Sequence, residues 1–198
     1  MNIIYLLFHG LSPYSGISKK ILHQVKGFEA CGHRVSLCTY SIADNGHRVR
    51  MINNEIIEDY GTGKPAAAKR RVSYQCIYRY AITHQVELIY VRSFHNANPF
   101  TIRLFSKLRK AGIKIAMEIP TYPYDSEYAG FPLVTRLGIQ VDKVFRKTLA
   151  KHVNAIVTFS DYHCIFGQRT IQISNGVDFD SIPLKKTVSK NTLSLIHI

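Results

Sequence analysis

Polar side chains that could bind an anion or a carbohydrate follow several apolar segments of this sequence. The first group surrounds Gly16, in the loop 9–18 that precedes a predicted helix. A glycine there lets the backbone approach a ligand without a Cβ atom, and the free N–H groups of the first helical turn can bind an anion. Lys19 and Lys20 follow, where the helix dipole favours acidic residues. A bound anion would explain both lysines; the alternative is that they point into solvent.

A second group follows the apolar segment Val86–Val91. Arg92 could bind a carboxylate or phosphate, and Asn96 could hydrogen-bond sugar hydroxyls. His95 lies between them, although an isolated histidine beside a helix start is more often structural than catalytic. Asn98 precedes a proline, and this pair predicts the N-cap of the next helix.

A third group occupies the proline-stiffened loop 120–128 and the strand before it. Glu118 and Asp125 could accept protons from sugar hydroxyls, and the rings of Tyr122 and Tyr124 could stack on sugar faces. The alternative is a tyrosine-rich loop that packs against its own domain. No Gly-x-Gly-x-x-Gly or Walker sequence is present, so binding of NAD or ATP lacks its usual motif.

Short apolar strands that alternate with amphipathic helices position these groups. The predicted strands are Asn2–Phe8, Val35–Tyr40, Glu55–Tyr60, Val86–Val91, Ile113–Ile119, Ala155–Phe159 and Ile171–Ile173. The predicted helices run from Ile17 to Gly32, near Ala66–Thr83, near Pro99–Ala111, and along Val134, Leu137, Val141, Val144, Phe145 and Thr148. The stretch 41–50 is polar and predicts a loop. Such alternation predicts an α/β fold: a doubly wound, mostly parallel sheet with helices on both faces.

Composition narrows the class of protein. The 198 residues suit one large α/β domain, and no run of eighteen apolar residues predicts a membrane-spanning helix. The four cysteines form no Cys-x-x-Cys pair, which favours reduced thiols and a cytoplasmic protein over a metal cluster or disulfide framework.

The formal charge of +13 suits an acidic substrate, an anionic membrane or nucleic acid. Basic residues form one row on each of two predicted helices; the rows are Arg103, Lys107 and Lys110, and Arg136, Lys143 and Lys147. These rows could rest on anionic lipid or could be ordinary solvated faces. No nucleic-acid-binding motif accompanies them, so we expect no nucleic acid partner.

Two segments resemble a known family. Ile173–Asp178 (Ile-Ser-Asn-Gly-Val-Asp), at the end of the alternation, resembles the inter-domain crossing of GT-B glycosyltransferases of the family-4-like group. Pro13–Ile17 resembles the loop in which these enzymes commonly carry a Gly-Gly pair beside the donor diphosphate. Ser15 and Gly16 occupy the positions of that pair; only the second glycine is kept, and serine replaces the first.

The resemblance implies transfer of a sugar from a nucleotide-diphosphate-sugar donor to a saccharide or lipid-linked acceptor, typically with retention and without an active-site metal. The nucleotide sugar is a co-substrate, and no other cofactor is implied. Ser15 and Gly16 would bind the donor diphosphate. The acceptor-side candidates are Arg92, His95, Asn96, Glu118, Tyr122, Tyr124 and Asp125. Many relatives carry a histidine near the end of the strand where this chain has Pro120, so no catalytic residue is assigned.

The resemblance also implies a division of the chain. Residues 1–184 would form the Rossmann-like acceptor-side domain, and residues 185–198 a linker and the first strand of a nucleotide-sugar domain. The family's Glu-x7-Glu pair is absent, so we expect no transferase activity from this chain alone. Its partners would then be the donor, the acceptor, the companion domain and the inner face of an anionic membrane.

Two other classes stay open. One is a non-catalytic basic α/β module that binds an anionic membrane surface or polyphosphate. The other is a small nucleotide-binding enzyme complete within these residues, which would need a catalytic constellation in the strand-end loops.

Overall fold

The computed structural model describes residues 1–12, 14–92, 96–124, 130 and 133–174, apart from the side chains of residues 134 and 135. Its strands are β1 (Asn2–Leu6), β2 (Arg34–Ile42), β3 (Arg48–Ile52), β4 (Glu55–Asp59), β5 (Leu88–Arg92), β6 (Lys114–Ile119), β7 (Ala155–Thr158), β8 (Cys164–Ile165) and β9 (Gln168–Gln172). Its helices are α1 (Gly16–Ala30), α2 (Gly63–Val72), α3 (Gln75–Thr83), α4 (Pro99–Lys110) and α5 (Leu133–Ala150).

The strands form one mixed sheet in the order β4-β3-β2-β1-β5-β6-β7-β9-β8. The central pairs, from β2 to β9 along this order, are parallel, and antiparallel pairs lie at both edges. Side chains of β1 alternate between two cores. Ile4 and Leu6 pack in the larger core with α3, α4 and α5, whereas Ile3 and Tyr5 pack with α1 on the other face. The predicted doubly wound α/β sheet with helices on both faces is therefore confirmed.

Two local predictions were wrong, and a third needs new bounds. The stretch 41–50 is not a loop throughout, because β2 continues to Ile42 and β3 begins at Arg48. The predicted helix Ala66–Thr83 is two helices, because Ser73 is extended with φ −100° and ψ 108°. The predicted last strand, Ile171–Ile173, is confirmed as the end of β9, which begins earlier, at Gln168, and forms an unpredicted hairpin with β8. The turn residues of this hairpin, Phe166 and Gly167, both have positive φ, as a tight hairpin turn requires.

The long helix α5 is confirmed, and Phe145 packs against the larger core, but three of the other predicted apolar residues face away from it. Leu137, Val141 and Val144 are exposed, whereas Ile139 and Leu149 are buried. Asp142 lies on the same buried side as Ile139 and Leu149. It accepts hydrogen bonds from the backbone N–H of Ala97 and the hydroxyl of Tyr124, which anchor that side of α5.

All four cysteines are free thiols; Cys38 and Cys76 are buried, and Cys31 and Cys164 are exposed. None of the described helices is both long and apolar enough to cross a bilayer. Residues 175–178 of the family-like segment Ile173–Asp178, and the predicted linker and strand, 185–198, lie outside the described residues.

Candidate functional site

The candidate site lies where the order of the strands reverses. β1 has β2 on one side and β5 on the other, and all three strands are parallel. The chain leaves β1 for α1 on one face of the sheet and leaves β5 for α4 on the other. The two loops diverge and open a crevice at the carboxyl ends of the strands, the usual ligand site of open α/β sheets.

The N-terminus of α1 forms one wall of this crevice. Ser15 is the N-cap and accepts a hydrogen bond from Ser18 N at 3.5 Å, and Ser12 N donates to Ser18 Oγ at 2.9 Å. Gly16 is exposed, and a Cβ atom built on it would meet no atom within 4 Å. The first turn contains no acidic residue. The predicted position of Gly16 at an open helix start is therefore confirmed, and its contact with a diphosphate stays a prediction.

Gly10 has the opposite environment. A Cβ atom at this position would lie 2.8 Å from the carbonyl oxygen of Tyr40, so the loop after β1 packs closely against β2 only because residue 10 is glycine. The backbone N–H of Tyr40 donates to the carbonyl of His9 at 3.3 Å in the same contact. The sequence reading missed this residue. Gly10 is needed because β2 packs closely against it, and no pattern of neighbouring residues in the sequence predicts that contact.

Lys20 does not simply point into solvent. It lies in the second turn of α1, and its Nζ is 3.5 Å from the centroid of the Phe159 ring, just after β7. Partial burial lowers the pKa of Lys20, and the charge of Glu118 opposes this shift. Its ammonium group is therefore held over the carboxyl ends of the strands. Lys19 is exposed.

Arg92 and Glu118 form a buried ion pair at the same edge. They are register partners at the ends of β5 and β6, so both side chains project on the α1 face of the sheet. Arg92 Nη1 donates to Glu118 Oε1 in a short contact; Glu118 is fully buried and Arg92 is 7% exposed. The structure thus brings together two residues that lie in different groups of the sequence.

Three further side chains complete this network. Tyr90 donates to Glu118 Oε2 at 2.6 Å, and Gln24 Nε2 of α1 donates to the same oxygen at 2.8 Å. Tyr5 donates to Gln24 Oε1 at 2.5 Å. Burial, followed by the charge of Glu118, raises the pKa of both tyrosines. The network fixes α1 against the three central strands. The sequence analysis did not identify Tyr5, Gln24 or Tyr90 as site residues. The only local pattern that points to any of them is that Gln24 lies one helical turn after Lys20, on the same side of α1.

Asn96 and Asn98 define the start of α4. Asn98 accepts from the backbone N–H groups of Phe100 and Thr101 at 2.9 and 3.1 Å and forms a capping box with Thr101, as predicted. Asn98 Nδ2 and Thr101 Oγ1 both donate to the carbonyl of Asn96. The amide nitrogen of Asn96 is buried without a partner in a small apolar pocket that Phe8 and other residues line. Apolar side chains enclose this donor, so its contact with a sugar hydroxyl stays a prediction.

The tyrosines of the third group pack on their own domain. The ring of Tyr122 meets Tyr162 and Phe166 edge-on, with centroids 5.0 and 5.5 Å apart. Tyr124 is buried, its hydroxyl donates to Asp142 at 3.1 Å, and burial raises its pKa. This packing agrees with the alternative prediction, a tyrosine-rich loop that packs against its own domain. Contact with an acceptor stays a prediction for both tyrosines.

His95 and Asp125, the remaining acceptor-side candidates, lie outside the described residues. Among the described candidates, Ser15, Gly16, Arg92 and Glu118 lie along the α1 side of the crevice and Asn96 lies at its α4 side, while Tyr122 and Tyr124 pack with the larger core. A scan against protein-family models, a search of curated proteins and a search of solved structures each find no match to this chain.

Proposed function

We propose that this chain is the acceptor-side half of a GT-B glycosyltransferase and that its crevice binds the diphosphate of a nucleotide-sugar donor. The observation that carries the proposal is the open N-terminus of α1 at the reversal of strand order. Gly16 leaves free space there, and the first helical turn has no acidic residue. Free N–H groups and the positive end of the helix dipole favour an anion at this position.

The same geometry suits departure of a nucleoside diphosphate. As the bond from the sugar to the diphosphate breaks, negative charge grows on the departing phosphate oxygen. Helix N–H groups that already point at this oxygen stabilise the charge without reorganisation. Lys20 adds a positive charge over the same edge, held there by Phe159.

The buried network gives this edge its rigidity. Glu118 accepts from Arg92, Tyr90 and Gln24 and is fully buried, so it cannot touch an acceptor without breaking this network. We therefore assign Arg92 and Glu118 a positioning role in the proposed enzyme: they hold α1, and with it Gly16, at a fixed distance from the strand ends. The amide nitrogen of Asn96 is buried as well, so contact of Asn96 with an acceptor stays a prediction.

The proposal is tested by titration of the 15N-labelled chain with UDP, GDP and ADP, observed by NMR. The backbone amide signals of residues 16–18 should shift most with each nucleotide, because the diphosphate is common to all three. The amide signals of α1's last turn should stay unchanged. Shifts confined to other loops would contradict the proposed donor site.

A second candidate function is docking on an anionic membrane through α5. Its exposed apolar side chains form one row, which we call the α5 row: Leu133, Leu137, Val141 and Val144, each 45–70% exposed. At about 100° per residue these four cover an arc of about 80°, opposite the buried side of the helix. Arg136, Lys143 and Lys147 lie beside them on the same helix. An apolar row next to a basic row is typical of helices that lie in a membrane interface.

Co-sedimentation with vesicles of phosphatidylcholine and phosphatidylglycerol tests this second function. The single variants Leu137→Ser and Val144→Ser should each weaken binding about tenfold or more, because each loses an apolar contact of roughly 1.5 kcal/mol or more. Leu22→Ser on α1, another exposed apolar position, is the matched control and should bind as the wild type does. Equal binding by all three variants would rule out the α5 row as the docking surface.

A further inference from the structure

Four arginines gather at the carboxyl edge of the sheet, on the face opposite α1. We call Arg48, Arg50, Arg70 and Arg71 the arginine cluster. Arg48 and Arg50 lie on β3 opposite Ile42 and Tyr40, near the carboxyl end of β2, and the other two lie in the last turn of α2. Ion pairs of the described residues include His47–Asp59, Arg79–Glu58 and Arg92–Glu118. None of them includes a member of the arginine cluster.

Tyr40 holds two members of the cluster in place. Arg48 Nη1 donates to the Tyr40 hydroxyl at 2.7 Å, and the guanidinium carbon of Arg70 lies 4.2 Å from the centroid of the same ring. Tyr40 itself is buried. Stacking and a hydrogen bond therefore fix two half-buried guanidinium groups before any ligand arrives, which lowers the entropic cost of binding one.

Arg50 places a third positive charge directly below them. It is 1% exposed, and its Nη1 donates to the carbonyl of Leu7, the residue after β1, at 2.8 Å. The Nε atoms of both Arg50 and Arg70 are buried without a hydrogen-bond partner. A buried donor without a partner costs free energy, and a donor on a charged group costs more than a neutral one. The cluster thus has unused capacity to donate hydrogen bonds.

Electrostatics point the same way. Burial lowers the pKa of Arg70, and the charges of Arg71, Arg48 and Arg50 lower it further. Positive charges this close repel one another. Glu58 of β4 is the register partner of Arg50, but its carboxylate pairs with Arg79. An anion bound among the four arginines would relieve the repulsion. Planar guanidinium groups bind phosphate oxygens in pairs, which makes a phosphate group the ligand that suits several arginines best.

We propose that the arginine cluster binds a phosphate group of the acceptor, so that the acceptor is a phosphorylated saccharide or a phosphate-linked lipid rather than a neutral sugar. The inference rests on the proposed function, which supplies the acceptor. Arg48, Arg70 and Arg71 are accessible and contact the phosphate, and buried Arg50 contributes its charge from below. The buried rings of Phe8 and Tyr74 meet edge-on 5.7 Å apart, and Arg50 packs over the Phe8 ring.

Titration of the full chain with inorganic phosphate and with monomeric dihexanoyl phosphatidic acid tests the proposal and separates the two sources. The readout is the 15N-bound Hε signal of Arg70 together with the dissociation constant. Phosphate should shift this signal, and Arg70→Gln should weaken binding about tenfold or more, because a charge-assisted hydrogen bond is lost. Arg48→Gln provides a second variant with the same expected loss. Arg103→Gln, an exposed arginine of α4, removes the same charge and should bind normally.

Each outcome bears on the proposal. Tighter binding of the phosphatidic acid supports a lipid-linked acceptor, and equal binding of both ligands supports a soluble sugar phosphate. Binding that Arg70→Gln and Arg103→Gln weaken equally would show only a diffuse effect of net charge and would overturn the site. Phosphate shifts at residues 16–18 without shifts at Arg70 would overturn this inference while leaving the proposed donor site intact. Gly16→Ala should leave phosphate binding at the arginine cluster unchanged.

Discussion

Replacing Glu118 with glutamine tests whether the buried network holds the crevice together. The carboxylate is fully buried, with Arg92 on one oxygen and both Tyr90 and Gln24 on the other. A glutamine amide group has one acceptor and one donor. If its NH2 faces Tyr90 and Gln24, it opposes two donors; if it faces Arg92, it opposes a buried cation. Neither orientation satisfies the site.

The expected cost follows from the loss of one partner of a buried ion pair, about 3–5 kcal/mol in the free energy of unfolding. This is a large part of the roughly 5–15 kcal/mol that stabilises a typical domain. Urea unfolding followed by circular dichroism measures it. Glu29→Gln on the exposed end of α1 is the matched control, and its effect should stay within about 0.5 kcal/mol.

A double-mutant cycle separates the ion pair from other effects of the substitution. Arg92→Met alone should also be costly, because it leaves a buried carboxylate without its cation. The double variant Arg92→Met/Glu118→Gln should cost about 2–3 kcal/mol less than the sum of the two single variants. If Glu118→Gln costs less than about 1 kcal/mol, or if the two costs simply add, the account of this network is wrong.

Three further predictions concern the same region. Burial and Glu118 raise the pKa of Tyr90, so the free energy of unfolding should be fully retained below about pH 10 and fall above it; Tyr90→Phe should reduce that fall in urea titrations at several pH values. Asn98→Ala removes the N-cap of α4 and should cost about 1 kcal/mol in urea unfolding, whereas Asn98→Asp keeps the cap acceptor, loses only the donor to Asn96 and should cost less. Gly10→Ala forces a Cβ against the carbonyl of Tyr40 and should cost about 1–3 kcal/mol in the same assay, and no loss would show that the loop can move away.

The sequence predicted those features of the site that depend on residues close together in the chain. Gly16 at the start of α1 and the Asn98 cap of α4 are confirmed, because a helix start is set by a few consecutive residues. The alternation of strands and helices is confirmed for the same reason, since apolar runs and helical periodicity are local signals.

The features that the sequence did not predict depend on contacts between distant elements. Gln24, Tyr90 and Glu118 meet only because α1, β5 and β6 pack at one register. β3 carries Arg48 and Arg50, and two arginines in a polar stretch predict a loop until burial is known. The apolar residues of α5 form a row at helical spacing, but spacing alone does not show which row of a helix faces the core.

The most direct test of the central claim, that the N-terminus of α1 binds a diphosphate, compares two glycines of one helix. A Cβ atom would meet nothing within 4 Å at either Gly16 or Gly27, so alanine fits both positions without strain. Because alanine favours helix over glycine, neither variant should lose stability. We expect Gly16→Ala to weaken binding of UDP, GDP and ADP about tenfold in NMR titrations, and Gly27→Ala to bind as the wild type does. Equal binding by the two variants would contradict the account.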